Sequence, residues 1–349
     1  MLAKESPGRM MKRLVLQITM LLILLYLLVG TGRAQNTRLL MFTLRIDEDY
    51  LNYRGKGSDR YYTGGFDFSF YYHSKKNRLL PALFIPPPNS QPVSFVSLQQ
   101  LVNTPANLTA TERNKNDYPY AGVLFVDYGK LFNDSAKSSR LTAELSVGII
   151  GPYSCAQQIQ QYFHRIIGDA QPNGWSTQIP TGLVFNYKLK IEKGLINYRK
   201  HIELNGNAEV NTGTTFNNCS VGLLFRTGKS LGYFSNYEIA GFNTKNNSKG
   251  RFVFFMQPQL TVVIYNEMLQ GSLFKKRIGN VAEGAYVVKA EDISRLIVSF
   301  AFGFKYETKN AAISFSQHMQ TREFNQVNGH EYGNISFVFK LNKKTDRFY

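Results

Sequence analysis

The sequence predicts an all-β fold: a transmembrane, antiparallel, up-and-down β-barrel of about twelve strands, with one short helix in an outer loop. Three observations carry this reading. Segment after segment alternates apolar with small or polar side chains, the period of a strand with two unlike faces. Aromatic residues make up 14% of the chain, chiefly 26 Phe and 21 Tyr beside a single Trp, and they are spread along those segments. That distribution suits an outward apolar band better than a compact enzyme core. Beyond the N-terminal segment, nothing approaches the ~18 consecutive apolar residues of a membrane helix, so any crossing must use strands.

Taken in order, Arg9, Lys12 and Arg13 precede an apolar run from Leu14 to Val29, and Gly32-Arg33-Ala34 places small residues at minus three and minus one. This is the pattern of a secretory signal cut after Ala34, which leaves residues 35–349 as one barrel domain. Removing residues 1–34 takes away five basic residues and one acidic one, lowering the formal charge from +17 to +13. A chain this basic prefers anionic partners. Twelve alternating segments begin near residues 38, 62, 91, 119, 139, 180, 195, 215, 251, 292, 309 and 332. In the tenth, Leu296, Val298, Phe300, Phe302, Phe304 and Tyr306 oppose Ser299, Ala301, Gly303 and Lys305. Phe66, Phe68, Phe70 and Tyr72 oppose Gly65, Asp67 and Ser69 in the second, and Leu141 to Ile149 alternates likewise. In the last strand Ile335, Phe337, Phe339 and Leu341 alternate with Asn334, Ser336 and Lys340, and the tail from Lys343 is solvated. No repeat, Pro-rich linker or charge block divides the mature chain.

An even strand number lets the barrel close. With the N-terminus in the periplasm, the connections after strands one, three and five lie on the outer side, where a barrel keeps its function. These connections are "DEDYLNYRGKGSDRYYTGG" from Asp47, "NTPANLTATERNKNDYPYAG" from Asn103, and residues 151–180. The third holds "QQIQQYFHRIIGD", residues 157–169, whose spacing is helical: Ile159, Phe163, Ile166 and Ile167 on one side, Gln160 and His164 one turn apart on the other.

Asp47, Glu48 and Asp49 are hard oxygen ligands of the class that suits Ca²⁺; clustered His or Cys for softer metals is missing. Alternatively they form a solvated strand end. Parity with Thr43 and Arg45 turns Asp47 and Asp49 toward the lumen, and parity with Asp67 and Ser69 does the same for Thr63. Gln160 and His164 aim an amide and an imidazole at one point, and histidine suits general-base work near neutral pH; a structural role is the alternative. Trp175 in "NGWSTQ" is an interface anchor or a pocket lid, and "YPYAG" from Tyr118 is an aromatic strand start. Cys219 shares parity with Val221, Leu223 and Phe225 and so faces away from Cys155, which argues against a disulfide. There is no G-x-S-x-G elbow, metal-spaced His pair, CxxC or phosphate-cradling Gly loop. Water is therefore the expected nucleophile.

Together these motifs resemble the outer-membrane lipid A 3′-O-deacylase family, twelve-stranded barrels that hydrolyse an ester-linked acyl chain of lipopolysaccharide with calcium. "IDED", "SDRYYTGG", "DYPYAG", "GIIGP", "QQIQQYFHRIIGD" and "NGWSTQ" carry the likeness in order across residues 46–178. The resemblance implies a calcium site at Asp49, with Glu48 where the family has asparagine, and a reaction centre with Thr63, Gln160 and His164 as base. The family's lysine after strand three has no clean counterpart; Arg113 and Lys115 are the nearby cations. It further implies lipid A as substrate, outer-membrane lipid as surroundings, an active site facing the exterior of a Gram-negative cell, and a helix lying over the barrel mouth; Phe163, off the Gln160 and His164 face, is expected to pack the helix onto neighbouring loops. The protein is expected to act as a monomer without a nucleic-acid partner. The competing readings are a non-catalytic barrel, pore or structural, whose helix plugs the mouth, and a secreted glycan-binding β-sandwich.

Overall fold

The computed structural model describes residues 37–52, 61–74, 90–112, 114, 116–229, 232–235, 238–239, 242–243, 250–273 and 287–341. The expected signal segment, the strand two to three connection, the C-terminal tail, Arg113 and Lys115 lie outside the described residues. In chain order the strands are β1 (Thr37–Glu48), β2 (Tyr61–Ser74), β3 (Gln91–Thr104), β4 (Ala121–Asp134), β5 (Ser139–Ile150), β6 (Gly182–Tyr198), β7 (Ile202–Gly213) and β8 (Phe216–Gly228). There follow β9 (Glu238–Ile239), β10 (Phe242–Asn243), β11 (Arg251–Asn266), β12 (Leu296–Glu307), β13 (Ala311–Gln320) and β14 (His330–Lys340). β9 and β10 form a separate two-stranded ribbon, and the other twelve close one antiparallel barrel in the order of the chain. Closure is between β1 and β14, with Phe42 opposite Phe339, Leu44 opposite Phe337 and Ile46 opposite Ile335.

The expected number of strands is the number observed. The seventh starts at Ile202 instead of near 195, for a local reason. β6 is 17 residues long and carries a bulge between Gly194 and Ile196, so its alternation restarts midway and mimics a second strand. The turn that follows uses Arg199 and Lys200, both with positive φ, as a tight hairpin requires.

Alternation sorts the wall into two faces. Val147, Leu183, Phe185, Val221, Phe252, Val298, Phe304 and Phe339 are exposed on the outward face, the apolar belt of a membrane-spanning barrel. Cys219 lies on this face; Cys155 is buried, and both are free. The inward face carries charge in opposed pairs: Lys188 Nζ to Glu144 Oε1 at 2.6 Å, Arg226 Nη1 to Glu203 Oε2 at 3.0 Å, and Arg251 Nε to Glu307 Oε2 at 2.7 Å. Pairing is what makes buried charge tolerable.

We call the end where β1, β3 and β5 finish the upper rim. Across it, Tyr61 stacks on Tyr118 (4.6 Å between centroids), and Tyr118 packs on Phe324 (5.0 Å) and donates to Glu323 Oε2 at 2.6 Å. Burial pushes the Glu323 carboxyl above its usual range, and pushes the adjoining Tyr118 hydroxyl well up. Leu269, Val288 and Ile293 join this cluster. Leu269 follows β11 and Tyr118 follows β3, strands that stand opposite each other in the twelve-strand order, so the cluster bridges the mouth. Beneath it lies a polar cavity of about 650 Å³, lined among others by Arg45, Asp47, Tyr62, Asn103 and His318.

At the lower rim residues 232–235 reach the lumen side chains. Arg140 donates to the Tyr233 carbonyl (2.6 Å) and lies over its ring (4.5 Å); the Tyr233 hydroxyl donates to Glu192 (2.6 Å) and its amide to Glu203 (3.1 Å). Glu203 thus holds Arg226 and Tyr233 at once. Glu203→Ala removes the carboxylate that pairs with the buried Arg226 guanidinium, and is expected to destabilise the barrel by about 3–5 kcal/mol, measured by urea unfolding in detergent against Glu209→Ala, whose residue lies on the same strand.

Candidate active site

β1 stays in register through Glu48, and the chain then turns into a 3-10 helix, Asp49–Leu51, which rests against β14 and β2. Asp47 faces the lumen as its parity requires, and accepts from Tyr62 at 2.7 Å and from Asn334. For Asp49 the parity argument no longer applies: the strand ends before it, and it is buried in the turn. Glu48 keeps outward parity. Its carboxylate folds over its register partner Gly64, with Oε2 3.2 Å from where a Cβ would stand.

Thr63 is the extra residue of a β-bulge, because Tyr62 pairs with Asn103 while Gly64 pairs with Val102. Parity inverts there: Tyr62, not Thr63, lines the lumen cavity beside Asn103. Thr63 instead shares a hydroxyl–hydroxyl hydrogen bond with Thr104, which alternates with Asn103 and so belongs to the outward face. The lumen placement predicted for Thr63 is therefore corrected by the bulge, a feature that re-aims side chains. Both threonines are buried, although the face they occupy is the outward one.

The helix is α1 (Ala156–Ile167), close to the predicted span. It ends where Gly168 takes a left-handed conformation (φ 74) and donates to the His164 carbonyl. Its buried face is Ala156, Gln160 and His164. Ala156 packs with Val102, Tyr120 and Trp175, and a Cβ on Gly122 would stand 2.2 Å from Ala156 Cβ. Gln100 of β3, an outward residue like Val102, donates from Nε2 to the Ser154 carbonyl at 2.7 Å. The helix therefore lies against the outside of the wall at β3 and β4, not over the mouth. Phe163, Ile166 and Ile167 are exposed (44, 65 and 51%), so Phe163 does not pack onto loops as expected.

The left-handed turn at Gly168 brings the Ala170 carbonyl to 2.6 Å from His164 Nδ1, with Asp169 Oδ2 3.9 Å away. A carbonyl only accepts, so Nδ1 carries the proton and, in the neutral ring, Nε2 is the acceptor. One turn earlier, Gln160 Oε1 accepts from Trp175 Nε1 at 2.9 Å. Glu48 and Thr63, at the ends of β1 and β2, thus share the outward side with Gln160 and His164, held against β3 and β4. Asp47 is left on the lumen side. Sequence reasoning missed Thr104, the Ala170 carbonyl, and the donor role of Trp175. Thr104 shares parity with Val102 and was legible; the other two depend on how the loop after α1 returns.

Asp49, Glu48 and the two threonine hydroxyls are hard oxygen donors, the chemistry calcium takes. Among the described residues no group of three or more His, Cys, Asp or Glu side chains could hold a metal ion. The donor types fit calcium, with further ligands left to backbone, water or substrate.

A family model described as outer membrane protein LpxR matches residues 18–341. The fold is similar to that of LpxR from Salmonella typhimurium, with a TM-score of 0.69 at 19% identity over 86% of this chain and 99% of that one. The beta domain of a Bordetella autotransporter covers 86% of this chain and 99% of its own at 9% identity, but with a TM-score of 0.41 it is too distant to argue from. No curated protein matches in sequence.

The contact of Gly122 with Ala156 gives a direct test of where the helix sits. Gly122→Val is expected to lift α1 from the wall, making residues 156–167 sensitive to limited proteolysis while heat-modifiable migration of the barrel persists. Unchanged resistance would place the helix elsewhere.

Proposed function

The chain belongs to the LpxR family of outer-membrane proteins, and from that premise we propose that it is a lipid A deacylase, hydrolysing an ester-linked 3′-acyloxyacyl chain of lipopolysaccharide with water activated by His164. The observation that carries this reading is the inside-out helix. A helix at an aqueous surface buries its apolar side; α1 buries Gln160 and His164 and exposes Tyr162, Phe163, Ile166 and Ile167. Such a helix suits hydrocarbon or the membrane interface on its open side. A polar reaction centre between that helix and the outward wall is one a membrane lipid can reach sideways, without entering the barrel.

His164 Nε2 takes a proton from water as the water oxygen bonds to the ester carbonyl carbon. The carbonyl π electrons move to oxygen, and collapse of the tetrahedral species expels the alcohol, which takes the proton back from the imidazolium. The Ala170 carbonyl keeps His164 in the tautomer this needs. The Thr63 and Thr104 hydroxyls supply polar contacts on the wall side. Asp49 and Glu48 would hold Ca²⁺; when bound, the ion would polarise the ester carbonyl as a Lewis acid. Basic residues favour the phosphates of lipid A by charge. The upper rim faces the cell exterior in this reading, and the protein acts as a monomer.

A pore is the weaker reading, because the Tyr61, Tyr118 and Phe324 cluster bridges the mouth and α1 lies outside it. A soluble sandwich has no place for a closed barrel.

Purified protein incubated with lipopolysaccharide and calcium is expected to release fatty acid. His164→Ala should lower turnover by roughly 10² to 10⁴ with the barrel intact by heat-modifiable migration, and activity should fall in acid, since a protonated imidazole accepts no proton. Full hydrolysis by His164→Ala with an unchanged pH profile would remove the base. Asp49→Ala should abolish the calcium response in the same assay with little change in unfolding; a persisting response would exclude Asp49 from the metal site.

A further inference from the structure

We propose that Trp175 is a positioning residue whose indole orients the Gln160 amide, so that the amide N–H donors face the reaction centre beside His164. The proposal rests on the deacylase reading for its chemistry, though not for its geometry. An indole N–H can only donate, and Trp175 Nε1 lies 2.9 Å from Gln160 Oε1. The amide oxygen is thereby committed to tryptophan, and Nε2 is turned away from the indole. Gln160 is 7% exposed, and its Nε2 is buried with no hydrogen-bond partner among the described residues. A buried donor left without a partner is costly and calls for a ligand. Gln160 stands one turn before His164 on the same buried face, so donor and base address one space.

Trp175 is well placed to impose an orientation. It is 1% exposed, packs with Val102, Tyr120 and Ala156 on the outward wall, and its ring lies 4.9 Å from that of Tyr120. Gln178 Nε2 donates to its carbonyl at 2.9 Å. The preceding Gly174 leaves room for this seating, since a Cβ there would stand 2.4 Å from the Tyr120 ring. As water bonds to the ester carbon and its proton passes to His164, the electron pair moves onto the carbonyl oxygen. A preorganised N–H from Gln160 meets charge at that oxygen only as it develops, which lowers the barrel's reaction barrier more than it tightens binding.

The single tryptophan makes the geometry measurable by itself, because the detergent-solubilised protein has one indole Nε1–H resonance. Slow solvent exchange and a shift of that resonance in Gln160→Met are expected; a resonance that does not move overturns the hydrogen bond. In fatty-acid release from lipopolysaccharide, Trp175→Phe keeps a ring but loses the N–H, and kcat should fall roughly ten- to a hundredfold with KM unchanged. Adding Gln160→Met should then cost little more, since both changes remove one device. Gln160→Glu keeps an acceptor for the indole but has no N–H, so it should keep slow indole exchange yet lose turnover as Gln160→Met does. Multiplicative losses, or full turnover in Gln160→Glu, overturn the proposal. Should Trp175→Phe fail to form a heat-modifiable barrel, the two Gln160 variants decide. Wild-type protein that releases no fatty acid overturns the deacylase reading and the catalytic half of this one, while the indole resonance still decides the orientation.

Discussion

Every side chain on a closed antiparallel wall has two destinations, lumen or lipid, and successive residues take them in turn. This constraint organises the whole molecule. It places phenylalanines and valines of twelve strands in one belt, and it forces Lys188, Arg226 and Arg251 into a space where each meets a carboxylate. The candidate site depends on one place where the constraint is broken, the bulge at Thr63. One extra residue between Tyr62 and Gly64 turns Tyr62 to the lumen and releases Thr63 to the outward side with Thr104. Had β2 kept its alternation to the end, the hydroxyl would sit on the lumen side with Asp47, away from the helix.

The second departure is the polarity of α1. Its buried side holds an amide and an imidazole, and each has a reason to be there: Trp175 supplies the one a donor, and the Ala170 carbonyl supplies the other an acceptor. Small residues make the docking possible, with Ala156 standing over Gly122 at a distance that no larger pair allows. The apolar residues Phe163, Ile166 and Ile167 are then left exposed on the side away from the wall, and the polar side chains lie between helix and wall.

Inside the barrel, side chains close in at both ends of the polar cavity. Aromatic residues from opposed loops bridge the upper rim, and Tyr233 is clasped between Arg140 and Arg226 at the lower one. The barrel interior and the candidate site thus lie on opposite sides of a wall built from the same strands.

Strand number, strand order, the membrane-spanning class, the helix and its pairing of Gln160 with His164 were all legible in the sequence, because each follows from a period of two or of 3.6 and from nearest neighbours along the chain. The free state of Cys155 and Cys219 followed from the same parity. Side was not legible. Thr63 and Phe163 were assigned to the wrong surroundings, the one because of a bulge and the other because the helix docks by its polar side, and the parity argument for Asp49 lapses where the strand stops before it. None of these changes the local period that sequence reasoning reads. A bulge is decided by the register with β3, and the outward face of a helix by what it docks against; both are properties of contacts between distant segments. Local periodicity therefore determined which elements form, and only closure of the barrel and return of the loop after Gly168 decided on which side of the wall their chemistry lies.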